Sequence, residues 1–481
     1  MVFSSLRFFL FLGAILGITA IPMSHTRKKA VLCASSCVFY AAWDYRYLAL
    51  LLIISVIDYF CAARITATEN IPVRKAWLTA SIVSNLAILG FFKYVGFFLA
   101  NLNGLLAFTG REVPLLRIIL PAGISFYTFK SMSYTIDVFR KRIAPCKSRL
   151  DYTMFVTFFP DLIAGPIVRA SVFLPQMERT IGPTRERLLH GASLFLVGIG
   201  KKLLVADHLA VVADAVFSAP QNWSCVTTWC GLIAYALQIY CDFSGYSDMA
   251  IGTAKMFGYD LPENFNMPYL ATNVAEFWHR WHITLSEWLR DYLYVSLGGN
   301  RKSRARTYVN LMLTMLLGGL WHGAGWNFVL WGFLHGFALA LHRAWCEFFP
   351  TARMPRLLAW ASTLLFVTLC WVPFRAPDFA TTIAILRALF GSGLGHNVWW
   401  PVVLAWSVGL VIIGHLAGSF LPARPGSLRW LDADYSSDSI SGPYLVFRMR
   451  TIAGSFAVAA AILSIYFFGA LNASPFIYFQ F

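Results

Sequence analysis

The chain has 481 residues, 58% of them hydrophobic and 13% charged, with a formal net charge of +16 and a mean hydropathy of +0.62. That balance excludes a soluble globular enzyme and describes an integral membrane protein. Nor does the positive charge point to nucleic acid: the basic residues cluster at the ends of apolar runs, where the cytoplasmic bias of Lys and Arg explains them.

A helical crossing needs about 20 apolar residues, and by that measure the sequence predicts roughly eleven crossings or partial crossings. Together they form one all-α, polytopic domain over residues 1–481. The first run, residues 6–22, lacks a small-x-small cleavage site and reads as a retained helix rather than a signal peptide. Arg27, Lys28 and Lys29 follow it, and Arg64, Arg74 and Lys75 follow the next apolar stretch. Both clusters belong in the cytoplasm, which makes residues 30–63 a hairpin with Asp44, Tyr45 and Arg46 at its outer tip. Residues 76–102 then go out, residues 114–134 return, and Arg140, Lys141, Arg142, Lys147 and Arg149 mark the cytoplasm again.

Residues 152–169 are apolar but interrupted by Pro160, Asp161, Gly165 and Pro166, with basic residues on both sides. They predict a re-entrant or broken helix, whose backbone survives at membrane depth only where protein or a watery cavity satisfies it. Residues 189–217 go out, interrupted by Lys201 and Lys202, and residues 227–257 return. The segment 264–306 is too polar to span and too aromatic for a free loop. Its Trp278, Trp281, Trp288, Tyr292 and Tyr294, with Arg280, Arg290 and Arg301, predict a segment along or partly within the cytoplasmic face. Residues 307–343 go out and back, and three more spans follow. An amphipathic piece, 381–390, lies at the outer surface, and 422–444, with Asp432, Asp434 and Asp438, is the largest cytoplasmic loop. Of nine cysteines, Cys225 and Cys230 flank an outer loop and are the pair open to a disulfide; the others read as buried thiols.

Charged and imidazole groups among apolar helices are costly unless paired or put to use, so each is a functional-site candidate. Glu276 and Arg280 stand four apart in the favoured order, Glu287 and Asp291 flank Arg290, and His279, His282, Ser286 and Arg290 fall on one helical stripe. A salt-bridged interfacial helix accounts for His279 and Arg280, whereas His282 lies between apolar Trp281 and Ile283. No metal site is expected, because these histidines lack the His-Glu-x-x-His pattern and a cysteine pair.

His322 is the sharpest candidate. It sits in Gly318-Gly-Leu-Trp-His-Gly-Ala-Gly-Trp-Asn327, at the turn of a hairpin with apolar arms. Flanking glycines admit close backbone or a thin substrate. Desolvation keeps such an imidazole neutral and ready to accept a proton, the state a general base needs. His335 is thirteen residues on, about 220° around a continuous helix, and reads as structural unless the glycines break that helix. Asp242 and Asp248 are further polar insertions, suited either to bonding backbone at a break or to lining a tunnel.

With these residues in view, the chain resembles the bacterial, alginate O-acetyltransferase-like branch of the membrane-bound O-acyltransferase superfamily. The matching segments are Pro121-Ala-Gly-Ile-Ser-Phe-Tyr-Thr-Phe129, Phe159-Pro-Asp-Leu-Ile-Ala-Gly-Pro-Ile167, Asp242-Phe-Ser-Gly-Tyr-Ser-Asp-Met-Ala250, Asn264-Phe-Asn-Met-Pro-Tyr269, Glu276-Phe-Trp-His-Arg-Trp-His282, Trp288-Leu-Arg-Asp-Tyr292 with Gly298-Gly-Asn-Arg301, and Leu320-Trp-His-Gly-Ala324. The ending Phe476-Ile-Tyr-Phe-Gln-Phe481 also resembles that branch, while His279 stands where the family is expected to carry Arg. The resemblance implies a ring of tilted, broken and re-entrant helices around a thinned centre with a catalytic tunnel, His322 as the catalytic histidine and His282 as the second polar position. His322 would be base to an acceptor hydroxyl or brief carrier of the acetyl group.

The function expected is therefore an O-acetyltransferase of the bacterial inner membrane. It takes acetyl from a cytoplasmic thioester, acetyl-coenzyme A or another, and passes it across for O-acetylation of an exported polysaccharide. Arg280, Arg290, Asn300 and Arg301 are the donor-binding candidates, the donor being a substrate with no permanently bound cofactor. Beyond membrane lipid, a separate extracytoplasmic acetyltransferase or esterase-like protein is the expected partner. A proton-coupled transporter or lipid-linked sugar flippase would instead use the histidines as proton relays, but the sequence has no evident inverted repeat. A membrane scaffold would make them all structural.

Overall fold

The computed structural model describes residues 1–116, 118–179, 183–352, 354–391, 395–397, 401–420, 452–470 and 475–479. The predicted loop 422–444 lies outside them. In chain order the helices are α1 (Leu6–Ala20), α2 (His25–Thr66), α3 (Ile71–Leu89), α4 (Val95–Leu106), α5 (Ile124–Phe139), α6 (Arg149–Thr157), α7 (Ala170–Glu178), α8 (Arg185–Gly200), α9 (Asp207–Ser218), α10 (Cys225–Met256), α11 (Val274–Arg280), α12 (Ile283–Trp288), α13 (Arg304–His322), α14 (Trp326–Phe348), α15 (Arg356–Arg375), α16 (Phe379–Phe390), α17 (Pro401–Phe420) and α18 (Ile452–Phe468). Many open on a side-chain oxygen that accepts an otherwise free N–H: Ser24 for α2, Asn70 for α3, Ser224 for α10 and Ser303 for α13.

The protein is an all-α, multi-pass membrane protein. His25–Thr66, Ile71–Thr109 and Arg356–Arg375 are each long and apolar enough to cross a bilayer, and shorter apolar helices accompany them. The predicted hairpin is present within α2. Its backbone breaks at Asp44 (φ −159°, ψ 113°), where the carboxylate accepts the N–H of Arg46 at 2.9 Å. Lys29 then reaches Asp151 at 2.6 Å while the Tyr59 hydroxyl donates to the Lys147 carbonyl at 3.0 Å. A straight helix would hold Lys29 and Tyr59 about 45 Å apart.

The other predicted interruptions also take physical form. After α6, residues 158–169 leave helical geometry and stay largely buried, and Asp161 of this segment pairs with Lys130 of α5 at 2.7 Å. The interruption at Lys201 and Lys202 is a π turn, Lys201–Ala206, between α8 and α9. Lys201 meets Asp248 at 2.6 Å, and Lys202 meets Asp207 at 2.8 Å and Asp242 at 2.9 Å. A buried charge needs such a partner. The return predicted over 114–134 is helical only from Ile124 onward. All nine cysteines are free, so the Cys225–Cys230 pair is not bridged; Cys225 instead donates its S–H to the Leu389 carbonyl.

α10 is the central post, buried along nearly its whole length. It crosses α8 at two glycine pairs spaced seven residues apart, Gly191 with Gly252 and Gly198 with Gly245. A Cβ on Gly198 would stand 2.5 Å from the Gly245 carbonyl oxygen, so only glycine permits this backbone approach, as small residues do between membrane helices. Gly198→Ala is expected to destabilise the protein by about 1–3 kcal/mol through overpacking. Gly200→Ala, whose new methyl meets nothing nearer than Ile465 Cδ1 at 3.9 Å, is expected to leave the melting midpoint near wild type in a thermal-shift comparison.

Candidate functional site

The site forms where two irregular pieces of backbone meet. α13 ends at His322, and Gly323 and Gly325 are extended (φ −159° and −165°) before α14 turns back. The glycines thus break the helix. His322 is 3% exposed. Its ring packs against Trp321 and Trp331 at 5.0 Å, Phe374 at 5.3 Å and Tyr478 at 5.7 Å. Its Nδ1 has no hydrogen-bond partner among the described residues. Glycine is needed at 323 because a Cβ there would stand 2.0 Å from the Phe328 ring.

His282 is fully buried and occupies the left-handed region, φ 43° and ψ 53°, between α11 and α12. Such a conformation is uncommon outside glycine and persists only where surroundings over-determine it. Here the surroundings are a short antiparallel pairing: Asn266 N–H donates to the Arg280 carbonyl, and Ile283 N–H to that of Asn264, each at 2.9 Å. Asn264 Oδ1 faces His282 Nδ1 at 3.0 Å and accepts from the Thr284 hydroxyl at 2.9 Å and N–H at 3.3 Å. Because a backbone N–H can only donate, the amide oxygen must face this side, and the His282 proton sits on Nδ1. Its Nε2 is left as an acceptor, unpartnered among the described residues. The Thr284 hydroxyl also accepts the Ile167 N–H at 3.0 Å, tying the broken segment after α6 to the same assembly.

The two imidazoles belong to one aromatic cluster. Trp321 touches both, at 6.0 Å from His282 and 5.0 Å from His322. Phe243 lies 4.7 Å from His282 and 4.6 Å from Tyr478, which in turn contacts His322. Tyr478 comes from the tail after α18, held where Ile477 N–H donates to Asp242 at 2.8 Å. Asp242 thus bonds backbone, the first of the two roles open to it from sequence. With the helix broken, His335 adjoins the same cluster: it accepts from the Trp278 indole at 3.3 Å, and the Trp331 ring contacts both it and His322.

Two expectations about the 264–306 segment are corrected. Trp278, Trp281, Trp288 and Tyr292 are 8%, 1%, 7% and 6% exposed and belong to the protein core; Trp281, for one, packs on Trp371 at 5.0 Å. The supposed stripe through His279, His282, Ser286 and Arg290 does not exist as one helix face, because the left-handed turn at His282 splits it. His279 and Arg290 are exposed while His282 is buried. Arg280 pairs with Glu276 at 2.8 Å as the spacing implies, and Arg290 pairs with Asp291 at 2.7 Å. Glu287, however, faces Arg169 at 3.7 Å. Asn300 and Arg301 are exposed beside the glycine turn at 298–299. None of Arg280, Arg290, Asn300 or Arg301 hydrogen-bonds to either histidine. The sequence reading passed over Asn264 and Thr284 as partners of His282, and it missed Lys93 and Tyr94, which reach the last carbonyls of α13. The signal for Lys93 was present, since it is the only charge in residues 76–102.

A family profile described as "MBOAT, membrane-bound O-acyltransferase family" matches residues 141–375, which include both histidines. Among curated proteins, the chain is 44% identical to "Probable alginate O-acetylase AlgI" of Pseudomonas aeruginosa, over 88% of this chain and 82% of that one. It is 39% identical to the protein of the same name in Pseudomonas putida over 100% of both. It is also 40% identical to "Peptidoglycan O-acetyltransferase" of Helicobacter pylori, over 76% of this chain and 74% of that one.

Two outcomes are expected from these contacts. Asn264→Ala leaves the His282 and Thr284 donors unpaired in a dry interior and should cost about 1–3 kcal/mol of stability, read as a lower melting midpoint. Asp291 is opposed by burial, yet Arg290 and Arg169 outweigh it and hold the carboxyl below its ordinary range. Its stabilising contribution is therefore present above the unfolded carboxylate value of about 3.9 and lost as pH falls through the lower folded value. On acidification from about pH 5 to pH 3, wild type should lose more stability than Asp291→Asn.

Proposed function

Because this chain belongs to the membrane-bound O-acyltransferase family and is an O-acetyltransferase, we propose that it takes acetyl from acetyl-coenzyme A in the bacterial cytoplasm and passes it across the inner membrane to an exported polysaccharide. The observation that carries the reading is the setting of His322: a nearly dry imidazole at the break of a helix, walled by Trp321, Trp331, Phe374 and Tyr478, with one ring nitrogen unpartnered by the described residues. In such a setting the ring takes the proton of an acceptor hydroxyl. The hydroxyl oxygen bonds to the acetyl carbonyl carbon, the carbon–sulfur bond breaks, and the departing thiolate takes up a proton.

His282 contributes through Nε2, which its bond to Asn264 leaves as an acceptor toward a donor group on the thioester or acceptor. On the cytoplasmic side the exposed Arg301 and the partly engaged Arg280 and Arg290 supply positive potential for the donor's phosphates, and the exposed Asn300 offers amide donors. A separate extracytoplasmic acetyltransferase or esterase-like protein completes delivery to the glycan. Support for a polysaccharide acceptor comes from the names of the relatives, which specify alginate and peptidoglycan.

The test is transfer of labelled acetyl from acetyl-coenzyme A by purified protein in lipid with its partner. His322→Ala should turn over more slowly by about 10²–10⁴-fold, the usual contribution of a general base, with an unchanged size-exclusion profile. Equal turnover in the two proteins would remove His322 from the chemistry. A collapsed elution profile in place of slowed turnover would favour the scaffold reading.

A further inference from the structure

The end of α13 poses a problem that its own sequence does not solve. The last four carbonyls of a helix have no partner within it, and Gly323, being extended, provides no capping N–H. Two adjacent side chains of another helix supply what is missing. Lys93 Nζ donates to the Trp321 carbonyl at 2.6 Å and to the His322 carbonyl at 3.0 Å. The Tyr94 hydroxyl donates to the Leu320 carbonyl at 2.9 Å. Three consecutive terminal carbonyls, including that of His322 itself, are thereby held from outside.

Two further observations bear on Lys93. Like Lys201 and Lys202, it stands in a π turn, Gly90–Tyr94, set between α3 and α4; such turns are rare and frequently fall at functional sites. Other lysines withdrawn into the bundle, Lys29, Lys130, Lys201, Lys202 and Lys255, each face an aspartate. No ion pair joins Lys93 to a carboxylate among the described residues; its donors go to the two carbonyls and to Ser125 Oγ at 3.4 Å. A lysine kept only for packing has no need of this place. The negative end of a helix dipole, however, is a favourable site for a cation.

We propose that Lys93, assisted by Tyr94, is a positioning residue for the acetyl-transfer reaction, fixing the end of α13 so that His322 presents its imidazole in one orientation. The inference rests on the reading that His322 does the chemistry. Its mechanical part, the cap, is independent of that reading. Lys93 acts through His322 and touches no reacting atom.

The experiment pairs hydrogen–deuterium exchange with steady-state kinetics on the purified full chain in lipid, using Lys93→Met, Lys93→Arg and Tyr94→Phe, with Lys93→Gln replacing the methionine variant if that one fails to fold. Exchange should rise in peptides spanning 318–328 in Lys93→Met while α10 stays protected. With acetyl-coenzyme A as donor, kcat should fall about tenfold to a hundredfold, the scale of a small misplacement of a reacting group. KM should stay near wild type, and Lys93→Arg should recover most of the loss. Unchanged exchange would overturn the cap. Raised exchange with unchanged kcat per folded molecule would overturn the positioning role and leave a structural one. A wild type without thioester turnover would sink the acetyl-coenzyme A reading, and the exchange result would still decide whether Lys93 holds α13.

Discussion

A helix that stops inside a buried interior leaves carbonyls that no water satisfies, and the structure around His322 is organised by that constraint. α13 ends at the imidazole, and its final carbonyls are taken by Lys93 and Tyr94. The same logic recurs wherever helical backbone is interrupted. The broken segment after α6 brings in Asp161 to face Lys130. The π turn at Lys201 sets two lysines against Asp207, Asp242 and Asp248. Asp242 also takes the N–H of Ile477, where the tail enters the bundle. Several of the buried charges inside this protein thus sit where the backbone is interrupted.

His282 illustrates how such irregularity is put to use. A left-handed histidine has a conformational cost of order 1–3 kcal/mol, and the surrounding bonds hold it there: the pairing of Asn264–Asn266 with Arg280–Ile283, and the triple acceptance by Asn264 Oδ1. The result is an imidazole with a determined tautomer, walled by Phe243, Phe126 and Trp321. His322 has the complementary arrangement, with its backbone held by a cation and its ring left to aromatic contacts. One histidine is oriented through its side chain and the other through its main chain.

Much of this was legible in the sequence because the signals were local. The basic clusters around residues 30–63 place the turn at Asp44, the prolines and glycines of 152–169 predict the break after α6, and the glycines around His322 predict the end of α13. What was not legible depends on lateral position. Tryptophans beside arginines have the same signature whether they line a headgroup layer or face inward against Trp371, because composition reports amphipathic character and not which neighbour lies alongside. The stripe through His279 and His282 assumed an unbroken helix, and one residue in the left-handed region sufficed to divide it. Tyr478 reaches His322 from 156 positions away, a contact that no window along the chain reveals.

The placement of Lys93 also bears on how the protein comes to be assembled. The span Ile71–Thr109 leaves the ribosome long before α13, and the carbonyl that Lys93 holds most closely belongs to a residue 228 positions further on. On insertion the lysine meets hydrocarbon without its partner, at a cost of about 2.5–3.5 kcal/mol near the bilayer centre. The apolar residues around it offset that cost, and the flexible stem lets the ammonium seek the nearer headgroup layer meanwhile. The depth and rotation at which this span finally settles are therefore fixed only after its own insertion, when a helix made later arrives to receive it.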